Sequence, residues 1–331
     1  MFDNKSILIT GGTGSFGRQC VKTILNRYKP KRLIVFSRDE YKQYEMQQGE
    51  FDHKAMRFFL GDIRDEDRLI QAMQGVDYVF HAAALKQVPA AEYNPMEFIK
   101  TNINGTENVI KAAMGNEVTK VIFISTDKAV SPANLYGATK LVAEKLCVAA
   151  NNMAGGHRTR FAVVRYGNVA GSRGSVIPLF RKLIAEDAKE LPITDVHMTR
   201  YWLTIRQGVE FVLKCLERMQ GGEVFVPKIP SVRITDLAEA MAPGTRIKVI
   251  GIRPGEKLHE VLCPADGSHL TLEFNDHFVI KPTINFVVKV NYETNSLGEK
   301  GAPVKPGFEY NSGNNPQFLT VDQLREMNQT L

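Results

Sequence analysis

The sequence predicts an α/β fold, a doubly wound parallel sheet carrying a smaller lobe toward its C-terminal end. Three observations point there. Short apolar runs alternate with helical segments up to about residue 170. A glycine-rich loop joins the first apolar run to the first helix. Beyond residue 170 the alternation gives way to shorter pieces punctuated by Pro227, Pro230, Pro243 and Pro254.

The elements follow in order. SILIT (6–10) is the first strand, and its helix runs from about Ser15 to Asn26. RLIVFS (32–37) is the second strand, MRFFLGD (56–62) the third and VDYVFHAAA (76–84) the fourth. A helix over 98–114 follows Pro95. KVIFIST (120–126) is the fifth strand, a helix spans 134–151, and RFAVVRYGN (160–168) is the sixth strand. Continuous apolar runs separated by helices are what a sheet buried on both faces requires. Right-handed crossovers then set helices on both faces, and ligands bind at the carboxyl ends of the strands. In the second part, Ile205, Val209, Val212 and Leu216 recur at helical spacing as a core-facing stripe. The division expected is a nucleotide-binding domain over 1–170 and, over 171–331, mainly a substrate-binding lobe partly interleaved with it. The tail from about Tyr292, with its Gly, Asn and Pro, yields no assignment.

Composition narrows the function classes. The chain has 331 residues, 44% hydrophobic and 24% charged, enough for a sizeable core, with a formal charge of +6. The densest basic stretch, Arg27, Lys29, Lys31 and Arg32, is broken by Pro30 and reads as a solvated turn, not a nucleic-acid footprint. A mild positive balance suits phosphorylated small molecules. Cys20, Cys147, Cys215 and Cys263 are scattered with no metal-ligand spacing, and Cys20 and Cys147, inside predicted helices, read as buried thiols. The start, MFDNKSILIT, has no signal-peptide layout, and no apolar run nears the roughly 18 residues of a spanning helix. A soluble cytoplasmic protein is expected, with no metal, nucleic-acid or membrane partner.

TGGTGSFG (10–17) sits between the first strand and first helix, with Gly11, Gly14 and Gly17 at regular spacing. Such a loop lets the backbone approach a pyrophosphate, and the helix behind it supplies free N–H groups and a positive dipole end. Gly11, Thr13, Gly14, Ser15, Phe16 and Gly17 are therefore dinucleotide-site candidates. At the end of the second strand come Ser37, Arg38 and Asp39, with Lys42 nearby. A guanidinium there pairs with a 2′-phosphate, which favours NADP, while Asp39 keeps NAD open. Asp62 and Ile63 border the adenine in this reading; the plainer role for Asp62 is to cap the helix over 64–73.

Tyr136 and Lys140, four apart, share one helix face. Lys140 is expected to hold the nicotinamide ribose and lower the phenol pKa of Tyr136, which then exchanges a proton with a substrate hydroxyl. Thr126, Asp127 and Lys128 end the fifth strand, where sheet ligands bind. Their plain reading is a turn, with Asp127 capping and Lys128 solvated. His81 reads as a core or backbone-bonded histidine, and Trp202 as packing.

HAAALKQVPAAEYNP (81–95), STDKAVSPANLYGATK (125–140), RYGNVAGSRGSVIP (165–178), GGEVFVPKIPS (221–231) and GIRPGEKLHE (251–260) resemble the extended short-chain dehydrogenase/reductase superfamily, with its Rossmann-like sheet. Within it they resemble the inverting UDP-N-acetylglucosamine 4,6-dehydratases, bacterial enzymes that begin pseudaminic acid biosynthesis for flagellin glycosylation. The resemblance covers almost the whole chain and says least about the last 40 or so residues.

It implies an Asp127–Lys128 pair acting with Tyr136, where related dehydratases carry Asp-Glu. It implies substrate contacts at Lys86, Asn168, Arg173, Arg253 and Glu256, with Thr194 and Met198 lining the sugar-nucleotide pocket, and further cofactor contacts at Ala82, Lys86 and Val169. Taken singly, Arg173 and Arg253 would be solvated surface arginines. It also implies a homo-oligomer, a hexamer. The reaction then expected removes water with no net redox. Lys128 acts as a neutral amine whose pKa is pushed down by Lys140, the oxidised nicotinamide and exclusion of water, and Asp127 acts as the acid. A 4-epimerase, a C5-retaining dehydratase, a reductase and a non-catalytic NADP sensor are the competing readings.

Overall fold

The computed structural model describes residues 1–153, 158–171, 175–284, 286 and 290–329. Its centre is a ten-stranded sheet. β1 (Ser6–Thr10), β2 (Arg32–Ser37), β3 (Met56–Leu60), β4 (Tyr78–His81), β5 (Lys120–Thr126) and β6 (Arg160–Tyr166) lie parallel in the order 3-2-1-4-5-6. The order reverses beside β1, which pairs β2 on one side and β4 on the other; this is where a doubly wound sheet opens a crevice. All of β1 is buried, as are Leu33–Ser37 of β2. That is why these strands read as unbroken apolar runs, with no alternation.

The intervening helices are α1 (Ser15–Arg27), α2 (Glu40–Gln48), α3 (Glu66–Ala72), α4 (Val88–Tyr93), α5 (Pro95–Phe98), α6 (Gly105–Gly115) and α7 (Leu135–Met153). α1 buries Gly17, Cys20, Val21 and Ile24. Its tight seat on the sheet depends on glycine, since a Cβ on Gly17 would come within 2.4 Å of Gly12 Cα. The helix expected over 98–114 is continuous from α5 to α6 but passes through a π-helical stretch, Ile99–Asn104. Asn102 sits in it and clamps the loop after β4. Its side chain bonds the N–H and carbonyl of Leu85 at 2.8 and 2.9 Å, and Thr139 Oγ1 of α7 at 3.0 Å. A widened turn that reaches out in this way is a common mark of a functional site.

The remaining chain serves both layers. β7 (Asn168–Val169), β9 (Thr199–Leu203) and β11 (Ser231–Arg233) form one small sheet; β8 (Glu190–Ile193) and β12 (Arg246–Val249) form another. Helices α8 (Val176–Ala185) and α10 (Ile234–Met241) pack there with α11 (Val321–Gln329) around Ile177, Trp202, Val232, Leu237 and Leu324. α9 (Ile205–Arg218) buries Val209, Val212 and Leu216 against the main sheet, as its spacing indicated. β10 (Val224–Pro227) then returns to the large sheet beside β6, and β14 (Thr271–Glu273), β15 (His277–Ile280) and β16 (Ala302–Pro303) extend it antiparallel. β13 (Val261–Cys263) pairs β17 (Tyr310–Asn311). The tail is thus ordered structure that braces the segment around residue 260. No helix among the described residues is long and apolar enough to cross a membrane, and no cluster there could hold a metal ion.

Candidate active site

The glycine loop lies between β1 and α1, close against the loop after β4. Gly11 has φ +66°, and a Cβ there would lie 2.8 Å from the backbone N of Ala83, filling the space against the loop after β4. α1 begins at Ser15 behind Gly14, with no side chain capping its free N–H groups. Those groups are what a pyrophosphate needs, so the loop fits a dinucleotide. Thr13 Oγ1 bonds Ser37 Oγ at 2.9 Å, tying the loop to the end of β2, while Phe16 packs against the core and the Ala82 N–H bonds the Thr10 carbonyl.

At the next strand end, Asp39 is spoken for. Its carboxylate caps α2 by accepting the Lys42 N–H at 3.0 Å and pairs with the Lys42 ammonium. Those bonds hold its pKa below the usual carboxylate range. Arg38 stays more than half exposed, 3.8 Å from Asp62. Asp62 does not cap a helix over 64–73. The helix there starts at Glu66, with Asp65 as its cap, and Asp62 bonds Arg64 through backbone and side chain at 3.0 and 2.8 Å. Burial opposes its charge, but the Arg64 bonds outweigh that and keep its pKa low. Ile63 is buried, packed where a Cβ on Gly105 would meet its side chain.

The catalytic candidates converge at the end of β5. Thr126 is followed by a single 3₁₀ turn, Asp127–Ala129. Asp127 is fully buried. Its Oδ1 accepts from Thr126 Oγ1 at 2.9 Å and from Lys128 Nζ at 3.0 Å, and its Oδ2 has no hydrogen-bond partner among the described residues. The turn lies directly on α7, where a Cβ on Gly137 would sit 2.1 Å from the Lys128 carbonyl oxygen. Asn134 caps this contact by accepting the Gly137 N–H at 2.8 Å. Tyr136 is 8% exposed in the same corner, beside Phe98 and Ala91.

Two electrostatic expectations need correction. Lys128 is not held as a neutral amine. Burial works against its charge, but Asp127 and Glu260, the latter 3.3 Å away, together raise its pKa above the ordinary lysine value. The arrangement without ligand is an ammonium between two carboxylates. Lys140 likewise does not lower the Tyr136 pKa. Burial, the largest influence, pushes the phenol up to about 12, against smaller downward pulls from Lys128 and a Thr126 hydrogen bond. The Lys140 ammonium is turned onto the Ile124 carbonyl at 2.7 Å and over the Phe123 ring at 3.9 Å. Burial brings its own pKa down to about 8.

Of the candidate substrate contacts, Lys86 lies near enough to Lys128 to feel its charge. Asn168, paired in β7 with Trp202, has a buried Oδ1 with no partner among the described residues, and Val169 follows it against Leu203. Burial and then the Lys128 charge lower the Lys86 pKa. Arg253 is more than half exposed and 4.0 Å from Glu256, whose Oε2 is buried with no hydrogen-bond partner among the described residues. Thr194 is buried. Met198 packs among Phe180, Leu191, Ile193 and Ile234, in the apolar core of the lobe. Arg173 lies outside the described residues. Trp202 is 2% exposed and packs, and His81 is a core histidine bonded to Thr10 and Thr106 at 2.7 and 3.0 Å.

Sequence reasoning missed Glu260, Arg200 and Lys257. Glu260 closes the quoted GIRPGEKLHE motif, and the signal available was an acid leading directly into a buried strand.

Residues 7–282 match the model of a family described as polysaccharide biosynthesis protein. The chain belongs to this family of extended short-chain dehydrogenases/reductases. A UDP-N-acetylglucosamine 4,6-dehydratase (inverting) from Campylobacter jejuni is 59% identical, over 99% of this chain and 98% of that protein. A UDP-glucose 4-epimerase from Rickettsia rickettsii is 40% identical, over 100% and 97% respectively. Pen from Bacillus thuringiensis, a crystal structure, is 40% identical with a TM-score of 0.88, covering 100% of this chain and 99% of that one. Relatives in this family thus carry two activities by name, and the site's own residues must choose between them.

Proposed function

We propose that the protein removes water from UDP-N-acetylglucosamine between C4 and C6, inverts C5, and uses a bound NADP that is recycled within each turnover. The observation that carries this reading is the pairing of the buried Asp127 with the half-buried Lys128, 3.0 Å apart, at the end of β5 beside Tyr136. An epimerase needs only Thr126, Tyr136 and Lys140. It has no use for a further acid and amine beside those three, and burying the Asp127 carboxyl there is costly. The 59% identity to a dehydratase supports the same choice.

A bound nicotinamide would supply the hydride acceptor for C4 and the hydride donor for C6, and C5 would be reprotonated from the opposite face. Tyr136, as a phenolate once the positive charge of an oxidised nicotinamide lies beside it, would accept the C4 hydroxyl proton, with Thr126 hydrogen-bonded to it. The C4 ketone makes the C5 proton acidic. One proton transfer along the Lys128–Asp127 hydrogen bond turns the ammonium and carboxylate of the ligand-free site into an amine and a carboxylic acid. That single step makes both groups the elimination needs. Lys128 then takes the C5 proton, and Asp127 gives its proton to the departing C6 hydroxyl. In this reading Lys140 holds the nicotinamide ribose, and Asn168, Arg253 and Glu256, with Arg173 by the sequence resemblance, hold the sugar nucleotide.

NADP is favoured over NAD because Asp39 is occupied by α2 and Lys42, while Arg38 remains exposed for a 2′-phosphate. The sequence resemblance supports a cytoplasmic homo-oligomer, a hexamer, at the first step of pseudaminic acid biosynthesis. The test is Lys128→Ala with UDP-N-acetylglucosamine in deuterated water. Deuterium incorporation at C5 and loss of water should fall by about 10²–10⁴-fold, the usual value of a positioned base. Wild-type rates would overturn the assignment.

A further inference from the structure

Glu260 is 3% exposed, yet it stands at the head of β13, where Leu262 and Cys263 are fully buried. A carboxylate in such a place needs a reason. Its Oε1 lies 3.3 Å from Lys128 Nζ and 3.9 Å from Arg200 Nε, and its Oε2 is buried with no hydrogen-bond partner among the described residues. Lys128 Nζ is thereby held between Glu260 on one side and Asp127 on the other.

The backbone beneath Glu260 is built to keep it there. Its N–H donates to Ser312 Oγ at 2.9 Å, and its carbonyl accepts the Ser312 N–H at 2.8 Å. Ser312 Oγ also bonds Thr199 Oγ1 at 2.8 Å, and Thr199 Oγ1 bonds His259 Nδ1 at 2.8 Å. Gly313 lies under that histidine, where a Cβ would come within 2.8 Å of the ring. The C-terminal segment, β9 and the strand-leading loop therefore all converge on one carboxylate.

We propose that Glu260 is a positioning residue for Lys128, the fixed counter-charge for the ammonium that forms when Lys128 takes the C5 proton. The inference rests on the dehydratase reading above. In that step the C5–H bond breaks and an N–H bond forms on Lys128. The electron pair passes toward C6, the C6–O bond breaks, and Asp127 supplies the proton with which water leaves. Asp127 becomes a carboxylate and Lys128 an ammonium, which is the arrangement of the ligand-free site. Glu260 already stands where the new positive charge appears, so nothing has to reorganise. The same negative charge makes the Lys128 amine a stronger base. Glu260 therefore acts on elimination and not on oxidation at C4, which Tyr136 serves.

The charged and titratable groups facing this site are few. Asp127 and Lys128 come from the turn after β5, Tyr136 from α7 and Lys86 from the loop after β4. Arg200 comes from β9, and Lys257 and His259 from the loop before Glu260. Burial and then Asp127 raise the Glu260 pKa, and Lys128, Arg200 and Lys257 oppose that.

The test compares wild type with Glu260→Gln and Glu260→Asp, as full chains, using UDP-N-acetylglucosamine as the probe in deuterated water. Three readings are taken: reduced nicotinamide formed in a single turnover, deuterium entering C5, and dehydrated product. For Glu260→Gln the first should stay near wild type and KM should hold. C5 exchange and product formation should fall about 10²-fold, the usual cost of a lost preorganised electrostatic partner. The acid limb of kcat should move to lower pH, because the ammonium has lost a counter-charge. Glu260→Asp keeps the charge and should recover part of the rate; it also serves if the glutamine variant does not fold. C5 exchange at the wild-type rate would overturn the proposal. So would an equal loss at C4 oxidation and C5 exchange with the acid limb unmoved, since that is the mark of a structural role. Wild-type protein that binds the sugar nucleotide without releasing water overturns the dehydratase reading itself. Wild-type protein that dehydrates beside an unimpaired Glu260→Gln overturns the role of Glu260 alone.

Discussion

Gly137→Ala is the substitution in which helix propensity and active-site geometry disagree most sharply. Residue 137 is in the first turn of α7, where alanine is worth at most about 1 kcal/mol over glycine, the value for a helix interior. The added methyl would sit 2.1 Å from the Lys128 carbonyl oxygen and 3.0 Å from Pro132. Side-chain carbons do not approach backbone oxygen closer than 3.0 Å, so the turn must move by about 1 Å relative to α7. Overpacking of this kind costs about 1–3 kcal/mol, which exceeds the helix gain. The expected net effect is a loss of stability, seen as a lower Tm. The larger consequence is functional. The displaced turn carries Asp127 and Lys128, whereas Tyr136 and Lys140 stay with α7. A misplacement near 1 Å can cost about 10²-fold in rate. Conversion of UDP-N-acetylglucosamine to dehydrated product should fall by that order, while cofactor binding, followed by protein fluorescence, stays near wild type. A Gly137→Ala protein that is more stable than wild type and equally active would refute the reasoning.

Two further outcomes follow from the site and the core. Arg38→Ala should weaken NADP binding by more than it weakens NAD, as a 2′-phosphate contact requires; equal losses in calorimetric titrations with both cofactors would remove that contact. His81 gives a pH signature. Burial, helped by Lys140, brings its pKa down to about 3 from an ordinary 6.5. Between those values the unfolded chain binds a proton that the folded chain does not, so stability falls as pH falls through that window. Urea unfolding of wild type from pH 7 to pH 4 should show the decline, and His81→Gln should flatten it. A decline unchanged in the variant would contradict this.

The first part of the fold was legible because burial there is two-sided. β1, β2 and β5 fall where their apolar runs were read, since strands covered on both faces tolerate few polar residues. β4 was read too long, over 76–84, because Ala82–Ala84 are apolar yet belong to the loop clamped by Asn102. The antiparallel strands β14–β17 are two to four residues long, too short for a period to show. Within the site, Thr126, Asp127, Lys128 and Tyr136 lie close along the chain, and local motif reading brought them together. Glu260 lies 132 residues from Lys128, and only the packing of β13 against β17 and the turn after β5 joins them. The charge state of Lys128 was misread for the same reason, because one of the two carboxylates that decide it comes from that distant segment.

In the proposed reaction the acid–amine pair after β5 expels water from a sugar nucleotide while the cofactor ends as it began. The most direct measurement incubates the purified protein with UDP-N-acetylglucosamine and no added cofactor, then determines the mass and C5 configuration of the product. The account predicts a product lighter by one water, inverted at C5, with no net change in nicotinamide absorbance. A product of unchanged mass and altered C4 configuration would contradict it and make the protein an epimerase.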